Sequence, residues 1–212
     1  MPPHGKVRIA APLHLSEETI RLYAISKLTW IKKQQKRIRS QARESRRQFI
    51  NKETHYFQGR KYLLRIIEED NPPRVVLRKS YIDLYVRPKT NTEKRRVILN
   101  EWYRAELKRQ VPVIITKWEK AMAVNVRDFG IRLMKTKWGT CNIEARRLWL
   151  NLELAKKPPG CLEYIVVHEM VHLIERHHND RFLACMKKFL PQWKDRVEEL
   201  NRLPVSYSEW EY

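Results

Sequence analysis

The chain contains 212 residues, of which 42% are hydrophobic, enough for one domain with an appendage or for two small domains. It lacks a run of roughly 18 apolar residues, and its start lacks the pattern of a secretory signal. These features argue against export and against a membrane-spanning helix, and they predict a soluble, cytoplasmic protein. The formal net charge of +20 predicts attraction to polyanions, although a basic face that only aids solubility is an equal alternative.

Three cysteines are scattered along the chain without a CxxC pair, at Cys141, Cys161 and Cys185. Their odd number and their spacing argue against a disulfide framework and against a cysteine-rich zinc finger. We therefore expect reduced, buried thiols. A nucleophilic role for Cys141 is disfavoured, because no basic partner adjoins it in the sequence.

The N-terminal quarter is the most basic part of the chain, since residues 1–54 contain 13 Lys and Arg against 4 Asp and Glu. Ser16 is a suitable N-cap for a helix that begins near Glu17. From Lys32 to Lys52 the pattern becomes a basic run with sparse apolar positions, which predicts a long helix. We interpret residues 1–54 as a basic helical extension and as a candidate for non-specific nucleic-acid binding.

Residues 55–100 change to short segments rich in β-branched and aromatic residues, separated by turn residues such as those at 71–73. The segment from Ile82 to Val86 alternates along the chain as a half-buried strand does, and the region as a whole predicts an antiparallel meander. A helix follows from Thr92 through Lys120, in which Pro112 marks either a kink or the start of a second segment.

Two further strands are predicted at residues 130–135 and 148–154. Between them, the stretch from Trp138 to Cys141 fits either a tight turn, in which a glycine permits the bend, or a direct contact with substrate. Both alternatives stay open. The strand at 148–154 precedes the most informative motif of the chain and is our candidate edge for pairing with an extended peptide.

That motif is HExxH, formed by His168, Glu169 and His172. The preceding residues 162–167 fit a strand or a helix equally well, and only the histidine spacing favours a helix. Residues four apart on a helix lie on one face, so both imidazoles can bind one ion. Catalytic zinc takes three protein ligands and a water molecule, whose proton a neighbouring carboxylate accepts. The motif therefore predicts a zinc-dependent hydrolase in which Glu169 assists attack by zinc-bound water.

A third ligand requires the chain to turn back after the motif. His178 lies ten residues after the first histidine, which is roughly 15 Å along a straight helix and too far for a bond of about 2 Å. We predict a break within residues 175–179, followed by a last helix with Asn179 or Asp180 as its N-cap. Of the two histidines nearby, we prefer His178 to His177 as the ligand.

Four stretches of the chain together form a recognisable set. They are Lys135–Asn142 around Trp-Gly-Thr-Cys, Leu148–Leu152 with its Leu-Asn pair, Tyr164–Leu173 with HExxH, and His177–Phe182. This set resembles the YgjP-like metallopeptidase family, which is related to the SprT-like and WLM zinc proteases. The resemblance extends from about residue 55 to residue 203.

The sequence departs from the family pattern at three positions, Thr140, His177 and Asn179, where Ser, Asn and Ser are usual. None of these departures removes a ligand. The resemblance implies an α+β, zincin-like fold over residues 55–212, with an antiparallel sheet packed on the HExxH helix. It implies a peptide or protein substrate and Glu169 as the catalytic carboxylate. Three histidines would bind the Zn²⁺ ion: His168, His172 and His178.

Two alternatives to a plain peptidase stay open. Some family members are described as nucleotide pyrophosphatases, so a metal-dependent (UTP-type) pyrophosphatase is one, although the sequence lacks a Gly-rich phosphate loop. The other is a DNA-associated protease recruited by residues 1–54, as in the SprT-like and WLM relatives.

Overall fold

A computed structural model describes most of the chain. The described residues are 7, 9–40 and 47–203, without the side chains of 34 and 37–40. The chain divides into two compact units, residues 1–44 with 202–212 and residues 45–201. Within the described part, no helix is both long and apolar enough to cross a membrane.

The first unit contains two helices, α1 (Glu17–Ser26) and α2 (Leu28–Ser40). The predicted start of α1 is confirmed: the Ser16 side chain accepts a hydrogen bond from the Thr19 amide at 3.2 Å, which satisfies one of the free N–H groups of the first turn. Within α1 no residue is buried.

The basic helix predicted from Lys32 to Lys52 is too long. Residues 47–53 are not helical. There the Phe49 amide donates to the Glu53 carboxylate at 3.0 Å, and Phe49 has a φ of 54°, which a right-handed helix does not allow. Residues 41–46 of the predicted helix lie outside the described residues.

The first sheet of the second unit has four strands, β1 (Thr54–Phe57), β2 (Arg60–Glu68), β3 (Arg74–Leu77) and β4 (Tyr81–Val86). Their order across the sheet is β1, β2, β4, β3. The predicted antiparallel meander is wrong, because β2 and β4 pair in parallel while β1 and β3 pair antiparallel to β2 and β4. The chain leaves β2, forms β3 at the far edge, and returns as β4 between them, so β3 lies in the crossover that a parallel pair requires.

Helix α3 (Thr92–Met122) packs against this sheet, and the Tyr103 hydroxyl donates to the Tyr56 carbonyl at 2.8 Å. Its predicted start is confirmed. The helix continues through Pro112 over 31 residues, so of the two alternatives at this proline the start of a second segment is wrong. Its buried side chains recur every three or four positions, as one helix face requires: Leu99, Tyr103, Leu107, Val111, Ile115, Trp118 and Met122.

The second sheet has three strands, β5 (Asp128–Arg132), β6 (Gly139–Asn142) and β7 (Arg147–Asn151). β7 is the central strand, parallel to β5 and antiparallel to β6. Two expectations are not met here. Of the two alternatives for residues 138–141, the tight turn is wrong, because Gly139 to Cys141 belong to β6, and the contact with substrate stays a prediction. The strand expected as a free edge at 148–154 is wrong as well, because β7 is paired on both sides.

The predicted strand at 148–154 also ends early, because the chain turns into a 3-10 helix, Leu152–Lys156. Asn151 starts this helix by accepting a hydrogen bond from the Glu153 amide at 3.2 Å. Three α-helices complete the unit, α4 (Pro159–Val171), α5 (Asp180–Phe189) and α6 (Trp193–Arg202). The described fold is thus of the predicted α+β class, with two mixed sheets in place of one antiparallel sheet.

The buried side chain of His55 links β1 to the segment before it by a hydrogen bond. The His55 side chain is 3% exposed, and its Nε2 donates to the Glu53 carboxylate at 2.7 Å. Burial lowers the pKa of His55 to about 4; the charges of Arg47 and Lys156 act in the same direction, and Glu53 opposes them. The unfolded chain, with an ordinary histidine, therefore binds the proton more tightly than the folded chain does.

We expect this histidine to make the protein less stable in acid. Above pH 6.5 the neutral His55 side chain contributes fully to the free energy of unfolding. As the pH falls from 6.5 towards 4, this contribution decreases by roughly 2–3 kcal/mol. Urea unfolding at pH 7 and pH 4.5 should show a smaller loss for His55→Gln than for the wild type. Equal losses in the two proteins would contradict this assignment.

Candidate metal site and active site

Helix α4 positions the HExxH motif. Pro159 occupies its first turn, where a missing N–H costs nothing. Val166, Val167 and Met170 are fully buried and orient the helix against α3, β6 and β7. The helical alternative for residues 162–167 is therefore confirmed.

The chain turns back directly after α4, as the sequence predicted. The helix ends at Val171, His172 is its C-cap residue, and α5 begins at Asp180. Asn179 is the N-cap of α5, since its side chain accepts a hydrogen bond from the Phe182 amide at 3.0 Å. The tight reversal brings the last histidine of the predicted set back towards the first.

Three histidines lie together at this reversal, His168, His172 and His178. Their potential ligand nitrogens all lie within 4.8 Å of one another. The Nε2 atoms of His168 and His178 are 3.0 Å apart. Two nitrogens bound tetrahedrally to one zinc ion at about 2 Å would be roughly 3.3 Å apart, so this spacing fits a shared ion closely.

One aromatic side chain contacts all three imidazole rings. Phe182 on α5 is 2% exposed, and its ring centroid lies 5.0 Å from that of His168, 4.8 Å from that of His172 and 4.7 Å from that of His178. Because the buried ring is fixed by the core, it restricts the orientation of each imidazole. No local sequence pattern predicts this role, although Phe182 ends the last of the four resembling stretches.

The His172 ring has a defined tautomer. Its Nδ1 lies 3.2 Å from the Glu175 carbonyl oxygen, which can only accept, so Nδ1 carries the proton and Nε2 keeps its lone pair. Metal-binding histidines generally have such a partner on the other ring nitrogen. The Glu175 carboxylate itself accepts from the His177 amide at 3.2 Å and thereby stabilises the turn.

The donor set fits a divalent metal ion. Burial lowers the pKa of His168 to about 4 and lowers the pKa of His172 as well, so both rings are neutral at pH 7. Neutral imidazole is the form that binds metals. His178 is exposed, so the cluster is open to solvent on one side, as a catalytic zinc site requires.

Glu169 points away from solvent towards the second sheet. It is 6% exposed, and burial raises the pKa of its carboxyl to about 7, against the opposing charge of Lys137. Gly139, the first residue of β6, lies directly against it: a Cβ there would be 2.7 Å from Oε1 of Glu169 and 2.8 Å from its Cγ. The glycine thus makes room for the carboxylate, a close approach that the sequence analysis did not foresee.

A comparison with known protein families identifies the family of this chain. Residues 1–203 match the sequence model of the family described as YgjP-like, metallopeptidase domain. The chain belongs to this YgjP-like family. The predicted resemblance is confirmed, and the family supports a metallopeptidase, an enzyme class that implies a metal ion. The match includes residues 1–54, so their interpretation as a separate extension stays a prediction.

Two solved structures are similar to part of the chain. The metallopeptidase zymogen abylysin of Pyrococcus abyssi is 19% identical, with a TM-score of 0.39, and the alignment covers 45% of this chain and 99% of abylysin. For the metallopeptidase zymogen jannalysin of Methanocaldococcus jannaschii the values are 18%, 0.38, 42% and 92%. No curated protein matches the chain. Recruitment to DNA through residues 1–54 stays a prediction.

Gly139 of this YgjP-like protein allows a direct test of the Glu169 environment. Because a Cβ at 139 would overlap the carboxylate, Gly139→Ala should displace it and lower kcat by roughly 10- to 100-fold, with metal content unchanged. The matched control is Gly160→Ala on α4, where the nearest atoms to the new Cβ would all belong to the end of the long Arg196 side chain. Equal activity of the two variants would contradict the proposed contact.

Proposed function

We propose that this YgjP-like protein is a zinc-dependent peptidase. The observation that carries the proposal is the cluster of His168, His172 and His178 at the end of the helix that also carries the buried Glu169. Three imidazole nitrogen donors with one open side are the ligand set of catalytic zinc. Membership of a metallopeptidase family supports the same reaction.

Each side chain has a separate task in this proposal. A bound zinc ion would polarise the scissile carbonyl and make the attacking water more acidic. Glu169 accepts the proton of that water and passes it to the leaving amine, for which a pKa near the working pH is suitable. The Glu175 carbonyl keeps His172 in the binding tautomer. Phe182 keeps the three rings together.

The substrate strand is proposed to pair with β6 and not with β7. β7 is central, whereas β6 lies at the edge of its sheet and pairs with β7 alone among the described strands. β6 begins at Gly139, against which Glu169 lies. An extended peptide that adds to this edge would receive backbone hydrogen bonds beside the carboxylate.

The test is metal analysis followed by two parallel assays, one on an unfolded protein and one on nucleoside triphosphates, with Glu169→Gln as the blank. We expect about one zinc ion per chain and hydrolysis of the polypeptide alone. Hydrolysis of triphosphates alone would favour the pyrophosphatase alternative. A protein that takes up no metal would refute the proposal.

A further inference from the structure

Asn151, at the end of β7, is a buried polar residue with an unusually complete set of partners. It is 4% exposed. Its Nδ2 donates to the carbonyl oxygens of Met134 and Lys137, both at 2.8 Å. Its Oδ1 accepts from the amides of Met134 at 3.3 Å and Glu153 at 3.2 Å. Its own amide donates to the Trp138 carbonyl at 2.9 Å.

Four of these five hydrogen bonds hold one segment, the β5–β6 loop formed by residues 133–138. Most side chains of this loop are exposed, so the hydrophobic core contributes little to its position. The loop leads directly into Gly139, and through it to the surface against which the Glu169 carboxylate packs. Lys137, whose charge acts on Glu169, also belongs to the loop.

Only asparagine satisfies all the partners at position 151. The two carbonyl oxygens of the loop require a donor, and the Met134 and Glu153 amides require an acceptor. Aspartate would keep the acceptor that caps the 3-10 helix but would present oxygen to the two carbonyls. The substitution therefore separates the loop contacts from the helix cap.

We propose that Asn151 is a positioning residue for Glu169, acting through the β5–β6 loop and Gly139. This inference rests on the proposed role of Glu169 as proton acceptor. The loop sets the position of the β6 backbone beneath the carboxylate, and a shift of about 1 Å in a reacting group can reduce turnover by roughly 100-fold.

The experiment compares Asn151→Asp and Asn151→Ser with the wild type. Both variants can still cap the 3-10 helix, and serine controls for the charge that aspartate adds. The matched control is Asn91→Asp, since Asn91 caps α3 by accepting from the Lys94 amide at 2.9 Å and needs no donor. The measurements are kcat and KM on a peptide, zinc content, the melting temperature, and hydrogen exchange of residues 133–140.

We expect kcat of both Asn151 variants to fall about 10-fold or more, KM to change less than twofold, and zinc content and folding to be retained. Exchange should increase in residues 133–140. In the double variant Asn151→Asp with Gly139→Ala, kcat should fall by less than the product of the two single fold decreases, because both substitutions displace the same carboxylate. Asn91→Asp should match the wild type.

Wild-type kcat in both Asn151 variants would overturn the inference. So would a loss of kcat that accompanies loss of zinc or of the folded state in both, because the role of Asn151 would then be structural only. The Glu169→Gln protein separates this failure from that of the proposed function. If it is active, the proposed function fails; if it is inactive while Asn151→Asp turns over normally, only the inference about Asn151 fails.

Discussion

Replacing Glu169 with glutamine is expected to remove most of the turnover while the protein stays folded and keeps its metal. Glutamine has the same size, so the contact with Gly139 is preserved. Its amide cannot accept a proton and return it near neutral pH, whereas a carboxyl with a pKa of about 7 can do both. Because a positioned base contributes roughly 10²- to 10⁴-fold, kcat should fall at least about 100-fold.

The measurement is kcat on an unfolded protein, together with zinc content and the circular dichroism spectrum. Glu163→Gln on the same helix is the matched control. Glu163 accepts hydrogen bonds from Trp118 Nε1 at 3.0 Å and Lys117 Nζ at 2.7 Å, and an amide oxygen accepts from the same donors. Its activity should equal that of the wild type. A metal-loaded Glu169→Gln protein with normal turnover would remove Glu169 from the mechanism.

The arrangement of the histidines could be predicted because it depends on local geometry. The i, i+4 spacing of His168 and His172 is meaningful only on a helix, and it decided between helix and strand for residues 162–167. The distance to His178 required a reversal, and Asn179 was a good N-cap for the next helix. Each of these inferences uses residues within about ten positions of each other in the sequence, where sequence and conformation are closely linked.

Strand pairing could not be predicted in the same way. Alternation identifies which residues of β2 and β4 face the core, but it does not identify the neighbouring strand. The turn residues at 71–73 fit a hairpin and fit a wider connection equally well. The sequence order of β5, β6 and β7 likewise gave no indication that β7 lies in the centre of its sheet.

The environment of Glu169 depends on contacts between residues that are distant in the sequence. One of the two interpretations of Gly139 was a turn residue, because glycine commonly permits bends. In the structure its missing side chain makes room for a carboxylate 30 positions later. Asn151 was noted only as part of a Leu-Asn pair typical of the family. Its hydrogen bonds reach back to residues 134–138, which no local pattern predicts.

The adjacent pair His177 and His178 provides the second large expected effect. Replacing His178 with alanine should weaken zinc binding by roughly 100- to 1,000-fold, whereas His177→Ala should leave it unchanged. His178 Nε2 lies 3.0 Å from the Nε2 of His168, while His177 is exposed and its amide is held by Glu175. The binding free energy of zinc with four ligands is about 10–16 kcal/mol, so one ligand contributes about 3–4 kcal/mol to it.

Competition with a chromophoric chelator measures both affinities, and melting curves provide an independent readout. His178 is exposed, so its loss should hardly alter the melting temperature of the metal-free protein. Zinc stabilises the folded state in proportion to the logarithm of its concentration over Kd. At limiting zinc, a chelator should therefore lower the melting temperature of the wild type and of His177→Ala, and hardly that of His178→Ala. If His177→Ala were the variant that loses zinc, the third ligand would be assigned to the wrong histidine.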